Sequence, residues 1–199
     1  MLRRCIFAVT LAGCILLILA GGFALPAARA QTRGWLWQNP LPQGNAISAI
    51  RFASDKMHGW AVGSDGAILR TNDGGFEWET QNSPVSSTLY GLYVKDEKRA
   101  LAVGARGIVL TTTNGGEKWT IRLTGSREHL YSVAFAPDDK SCGWAVGTHG
   151  VILKTKDGGN NWSPLASNTK AHLFSVSFAD KHTGAAVGER GALLLTTDG

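Results

Sequence analysis

Gly59-Trp60-Ala61-Val62-Gly63, continued by Ala67-Ile68-Leu69 and by Thr71-Asn72-Asp73-Gly74-Gly75-Phe76-Glu77-Trp78, decides the reading of this chain because it recurs. Its opening returns as Ala100-Leu101-Ala102-Val103-Gly104, Gly143-Trp144-Ala145-Val146-Gly147 and Gly184-Ala185-Ala186-Val187-Gly188, with the closing glycines 41, 43 and 41 residues apart. The apolar run returns as Ile108-Val109-Leu110, Val151-Ile152-Leu153 and Ala192-Leu193-Leu194. The last block returns as Thr112-Thr113-Asn114-Gly115-Gly116-Glu117-Lys118-Trp119, as Thr155-Lys156-Asp157-Gly158-Gly159-Asn160-Asn161-Trp162, and as Thr196-Thr197-Asp198-Gly199.

One more strand-like run precedes each copy: Ile47 to Phe52, Leu89 to Val94, Leu130 to Phe135 and Leu173 to Phe178. In the third, Leu130, Ser132 and Ala134 alternate with Tyr131, Val133 and Phe135, the period of a strand. Four short strands in about 42 residues make a blade of a β-propeller, here called strands A to D in chain order. The predicted fold is therefore all-β, with blades at about residues 46–82, 88–123, 129–166 and, incomplete, 172–199. Trp37 stands 13 residues before Ile50, much as Trp78, Trp119 and Trp162 stand 14 before Leu92, Val133 and Val176. Residues 34–40 are thus expected to be a D strand that closes a ring. The total is about 3.75 blades, read as a fragment of a ring of about six to eight, the alternative being a ring closed with four.

An Asp or Asn before Gly-Gly, between strands C and D, predicts a tight hairpin. The side-chain oxygen accepts backbone N–H groups across the turn, and glycine takes positive φ. Trp78, Trp119 and Trp162 are expected to pack on the blade and fix that turn. On this reading Asp73, Asn114, Asp157 and Asp198 are structural, not metal ligands, because an amide at position 114 keeps the turn bonds but would replace a charged ligand poorly.

These blocks resemble the Asp-box propellers, also called bacterial neuraminidase repeats. More closely, Gly-Trp-Ala-Val-Gly followed by Gly-x-Ile-Leu-x-Thr-x-Asp-Gly-Gly-x-x-Trp resembles the photosystem II stability and assembly factor family, over Gln31 to Gly199. Asn114, Leu101 and Ala185 depart from the pattern. The resemblance implies about seven blades, a place in photosynthesis, and an arginine patch on one face that engages a newly made reaction-centre polypeptide. Arg106 and Arg190 match such a patch, while Asp65 and His149 break it.

The composition fits one exported domain. With 199 residues, 44% hydrophobic, 18% charged, 25 Gly and 7 Trp, the chain is neither a disordered tail nor a helical bundle. Arg3 and Arg4, an uncharged run from Cys5 to Ala28, and Ala28-Arg29-Ala30 together predict a signal peptide over residues 1–30. The alternatives are an uncleaved membrane anchor and a lipoprotein signal ending at Cys14. Removal of the signal leaves 17 Lys+Arg against 15 acids, a balance that gives no case for nucleic acid. It also leaves Cys142 as the one cysteine, so no internal disulfide forms. The expected location is periplasmic or extracellular, or the thylakoid lumen for a cyanobacterial source.

In a blade, B-to-C turns and D-to-A loops share one rim, and A-to-B turns and Asp-box hairpins share the other. The B-to-C turns present Asp65, Arg106, His149 and Arg190 at matching positions, each before a glycine. The D-to-A loops add Arg127, Glu128 and His129, then Lys170 and His172. A cationic rim of this kind suits carboxylate-rich peptide segments, since guanidinium bonds carboxylate in a bidentate fork. The predicted partner is thus a protein, which the resemblance implies is a membrane protein or nascent subunit, with no cofactor and no small-molecule substrate. Catalysis finds little support. A sialidase needs an Arg-Ile-Pro near the N-terminus, whereas Arg51 precedes Phe52-Ala53. Tyr90 and Tyr131 occupy matched packing positions, and the five histidines show no zinc spacing. A sialidase-like glycosidase and a secreted glycan or adhesion module are the alternative functions.

Overall fold

The structure, a computed structural model, describes residue 34 and residues 44–199. The chain divides between Gln38 and Asn39, and the fold set out below belongs to the unit Asn39–Gly199. The export signal expected over residues 1–30, and Trp37 with the strand expected around it, lie outside the described residues.

Among the described residues, fifteen strands form four antiparallel sheets with no helix longer than a single turn. The first sheet is β1 (Ile47–Phe52), β2 (Gly59–Gly63), β3 (Ile68–Thr71) and β4 (Glu79–Thr80). The second is β5 (Leu89–Val94), β6 (Ala100–Gly104), β7 (Val109–Thr112) and β8 (Thr120–Arg122). The third is β9 (Leu130–Phe135), β10 (Gly143–Gly147), β11 (Ile152–Thr155) and β12 (Ser163–Leu165). The fourth has three strands, β13 (Leu173–Phe178), β14 (Gly184–Gly188) and β15 (Leu193–Thr196). Strands pair in sequence order within each sheet, and the first strands of consecutive sheets lie side by side. These are propeller blades.

The cores lie between blades. Trp60, Val62 and Ile68 of the first blade pack with Leu89, Leu92 and Trp119 of the second. Leu101, Val103 and Val109 meet Leu130, Val133 and Trp162, and Trp144 and Val146 meet Leu173 and Val176. This explains the apolar Gly-Trp-Ala-Val-Gly run, which does not alternate: β2, β6 and β10 are second strands covered on both faces, and every residue in them is buried. Trp60 and Trp144 are the largest fully buried side chains.

The alternation expected along strand A is broken. Register shifts between Ile47 and Ala49, Leu89 and Gly91, Leu130 and Ser132, and Leu173 and Ser175 leave one unpaired residue in each first strand. This is a β-bulge. Leu130 is buried with Val133 and Phe135, not with Ser132 and Ala134. The unpaired residues of three blades are Tyr90, Tyr131 and Phe174, whose rings follow one another at 5.3 and 5.7 Å.

Candidate functional site

Gly63, Gly104, Gly147 and Gly188 each open a two-residue turn into strand C. In the first, the Ala67 N–H donates to the Ser64 carbonyl at 2.9 Å, and the Gly63 N–H to the Ala67 carbonyl at 3.0 Å. Both central residues have positive φ, the type I′ geometry that matches strand twist and ordinarily selects Asn-Gly or Asp-Gly. Its first central position holds Asp65, Arg106, His149 and Arg190, with φ of 53°, 57°, 52° and 56°. Left-handed backbone costs an ordinary L-residue about 1–2 kcal/mol, so the two arginines and the histidine occupy strained positions. The second central position has no such latitude. A Cβ on Gly66, Gly107 or Gly150 would stand 1.9, 2.2 or 2.1 Å from the carbonyl oxygen of Val85, Ser126 or Thr169.

Each turn is tied down by residues that precede strand A. The backbone N–H groups of Ser64, Ala105, Thr148 and Glu189 donate to the carbonyls of Ala46, Thr88, His129 and His172, all at 2.9 Å. The next residue is held by the following blade: the Arg106 N–H points at His129 Nδ1 (3.3 Å), and the His149 N–H at His172 Nδ1 (3.0 Å). Accepting these bonds requires a lone pair on Nδ1. The Thr148 hydroxyl donates to Glu128 at 2.5 Å, and His149 Nδ1 lies 2.8 Å from the same oxygen. These two contacts, the hydroxyl first, hold the Glu128 carboxyl below its ordinary range.

His149, Lys170 and Arg190 line one cleft together with His172 and Glu189. Arg106 sits one blade earlier beside His129, and Arg127 is exposed in the loop before Glu128. Asp65 lies on the first blade's turn, and no hydrogen bond or ion pair joins its side chain to the basic residues. Among the described residues, the side chains of Arg106, Arg127, Lys170 and Arg190 have no hydrogen-bond or ion-pair partner.

The other rim spends its side chains on itself. The Thr71 hydroxyl donates to Asp73 Oδ1 (2.8 Å), and that oxygen accepts the N–H groups of Phe76 and Glu77 at 2.9 and 3.0 Å. The Gly75 N–H reaches Thr71 Oγ1 (2.9 Å), and Trp78 Nε1 donates to the Gly75 carbonyl (3.0 Å). Thr155, Asp157, Gly159 and Trp162 repeat the set, from 2.8 to 3.0 Å. Asn114 Oδ1 takes the Thr112 hydroxyl and the Lys118 N–H, and Asp198 takes the Thr196 hydroxyl. Trp119 Nε1 turns instead to Gln81 Oε1 on the first blade, which also accepts Trp60 Nε1. The connection is wider than the tight hairpin expected from Asp-Gly-Gly. Residues 72–78 separate β3 from β4, because the carboxylate sits inside the loop and organises it; the tight turns are the B-to-C ones.

A second row of aspartates escaped the sequence reading. Asp55, Asp96, Asp139 and Asp180 occupy the A-to-B turns, and each accepts backbone N–H groups two or three residues on, at 2.7–3.1 Å. The signal was available as an Asp four residues before the first residue of strand B in every repeat. The ring row Tyr90, Tyr131 and Phe174 also escaped, since bulges are invisible to a period-two pattern. Among the described residues no group of three His, Cys, Asp or Glu is placed to hold a metal.

Blades of this construction, locked by Thr-Asp loops and carrying a strained cationic rim, define an Asp-box β-propeller. The family described as Photosynthesis system II assembly factor YCF48 matches residues 27–124 and 77–171, and the chain belongs to that family. It is 44% identical over 61 residues to the chloroplastic Photosystem II stability/assembly factor HCF136 of Cyanidioschyzon merolae, a stretch of 29% of this chain and 14% of that protein. The solved YCF48 from Cyanidioschyzon merolae superposes with a TM-score of 0.62 at 27% identity, over 78% of this chain and 54% of that one. A solved YCF48 bound to a D1 peptide gives a TM-score of 0.63 at 24% identity, over 80% and 54%; this second likeness is one of fold. The chain thus spans about half the length of the solved relatives it matches.

Proposed function

We propose that this chain is a non-catalytic scaffold of photosystem II assembly, and that its rim of left-handed turns binds a carboxylate-bearing segment of a membrane-protein subunit. The observation that carries the reading is the recurrence of Arg106 and Arg190 on strained turns with their guanidinium groups uncommitted. A guanidinium without an internal partner is ready to form a bidentate pair with a carboxylate from outside, and arginine kept at a position whose backbone favours Asn, Asp or Gly supports a use for its side chain. The D1 peptide bound by a relative of the same fold supports a polypeptide ligand. Export to the lumen or periplasm belongs to the same reading and rests on residues 1–30.

The test is fluorescence anisotropy of a labelled D1 peptide with the wild-type chain and with the Arg106→Glu, Arg190→Glu double variant. Reversal of both charges is expected to weaken binding by at least about tenfold without lowering the melting temperature. Undiminished binding by a stable double variant would sink the assignment of this rim.

A further inference from the structure

The three blade junctions are lined in different ways. At the first, the Arg70 guanidinium lies 5.4 Å over the Trp60 ring, and Gln81 bridges Trp60, Trp119 and the Gly115 carbonyl. At the third, Lys154 lies 5.1 Å over the Trp144 ring and reaches the Gly199 carbonyl, which also accepts Trp144 Nε1. The second junction has neither element. Leu101 stands where Trp60 and Trp144 do, Thr111 where Arg70 and Lys154 do, and Arg122 where Gln81 does.

A cleft of about 200 Å³ lies between the second and third blades, with Leu101, Thr111 and Arg122 in its lining, open at the Asp-box rim. Its floor is the Tyr93 ring stacked on Phe135 at 4.4 Å. Arg122 enters from strand D, with Nε fixed on Thr111 Oγ1 at 3.0 Å and no partner for its two terminal nitrogens. Lys95 and Lys140 enter from the A-to-B turns of the two blades, also without partners among the described residues. The nearby acids are already engaged. Asp157 is filled by Thr155, Asn160 and Asn161, and Asp96 by Arg99 and two backbone N–H groups. Three uncommitted cations from three chain segments thus border one cleft that contains no uncommitted carboxylate.

We infer that this cleft is an oxyanion site, in which Arg122, Lys95 and Lys140 hold a phosphate or carboxylate group. A guanidinium anchored through Nε presents its remaining N–H groups as a fork, and two ammonium groups complete the charge. The site lies on the rim opposite Arg106 and Arg190 and does not depend on the function proposed for them.

The experiment is an NMR titration of the full chain, following the Arg122 Nε–H and the backbone amides of Lys140 and Asn160. Inorganic phosphate and glutarate are added separately at constant ionic strength, against a chloride control. Saturable shifts are expected, with phosphate or glutarate reaching saturation first according to the group the site takes. Arg122→Gln, which installs the first junction's residue, and Lys140→Ala in an exposed turn are each expected to weaken binding about tenfold. Arg106→Glu, Arg190→Glu leaves it unchanged. Shifts no larger than in chloride, or shifts that survive Arg122→Gln in a folded variant, overturn the inference.

Discussion

Asp157 and Asp65 are both exposed aspartates in loops of one propeller, and they lead opposite lives. Asp157 sits on the Asp-box rim, where its carboxylate takes a hydroxyl, two backbone N–H groups and a side-chain amide. Asp65 sits on the other rim in a left-handed backbone, with no such bonds. The contrast holds for the rims as wholes. On one, every A-to-B turn and every described Asp-box loop has a polar side chain folded back into the backbone. On the other, hydroxyls such as Thr124 and Thr148 also brace the loops and Glu128 is engaged, but the turn-tip side chains of Asp65, Arg106 and Arg190 have no partner among the described residues. One rim holds the blades in shape; on the other, the turn-tip side chains of Asp65, Arg106 and Arg190 take no part in holding them, and the peptide site proposed above lies there.

The sharpest way to break this comparison is to truncate the two aspartates in turn. Asp157→Ala removes the four bonds its carboxylate makes within the loop and is expected to destabilise by about 2 kcal/mol, comparable to loss of a strong helix cap. Asp65→Ala should cost less, about 0.5–1 kcal/mol, which is the left-handed tolerance of aspartate that alanine lacks and not any lost side-chain bond. Equal losses in thermal unfolding would show that the rims do not differ as described. A comparable effect, of opposite sign, is expected for Arg106→Asn. Asparagine tolerates the left-handed region, so the variant should gain about 0.5–1 kcal/mol and about 2–3 °C in Tm, while binding the D1 peptide less tightly. A fall in Tm would mean that Arg106 supports the turn after all.

The smallest effect concerns pH. Asp55 is drawn from 3.8 down to about 2, chiefly by the His58 side chain and then the His58 backbone N–H, and Asp73, Asp96, Asp139, Asp157 and Asp180 are also lowered. A carboxyl that is more acidic when folded contributes stability above its unfolded pKa and loses it as pH falls through the folded one. Tm should therefore hold down to about pH 4 and decline toward pH 2. Asp55→Asn should make that decline shallower, and an unchanged slope would show that its turn bonds survive protonation.

The sequence carried the strand count, the blade period and the Thr-Asp-Gly-Gly loops because each is a local pattern that repeats. It also placed Asp65, Arg106, His149 and Arg190 at one position per blade. It missed the aspartates of the A-to-B turns because the shared pattern is short: Asp-Lys recurs as Asp55-Lys56, Asp139-Lys140 and Asp180-Lys181 but gives way to Asp96-Glu97, and the residue before the acid differs in every repeat. It took Asp-Gly-Gly for the tight turn because that composition marks one, whereas the tight turns are Asp65-Gly66, Arg106-Gly107, His149-Gly150 and Arg190-Gly191. Arginine and histidine do not announce a positive φ.

What the sequence determined alone is the blade: backbone hydrogen bonds and side-chain caps reach only a few residues, so a repeat of about 42 residues specifies each sheet from within. What tertiary structure decided is the space between blades. Whether Trp60 with Arg70, or Leu101 with Thr111, faces the next sheet determines what lines each junction and which cations are left uncommitted there. The glycine at three of the turns, Gly66, Gly107 and Gly150, is likewise required by a carbonyl that the D-to-A loop brings in from farther along the chain. Those contacts join residues from different sheets and loops, and close packing across them depends on all the partners at once.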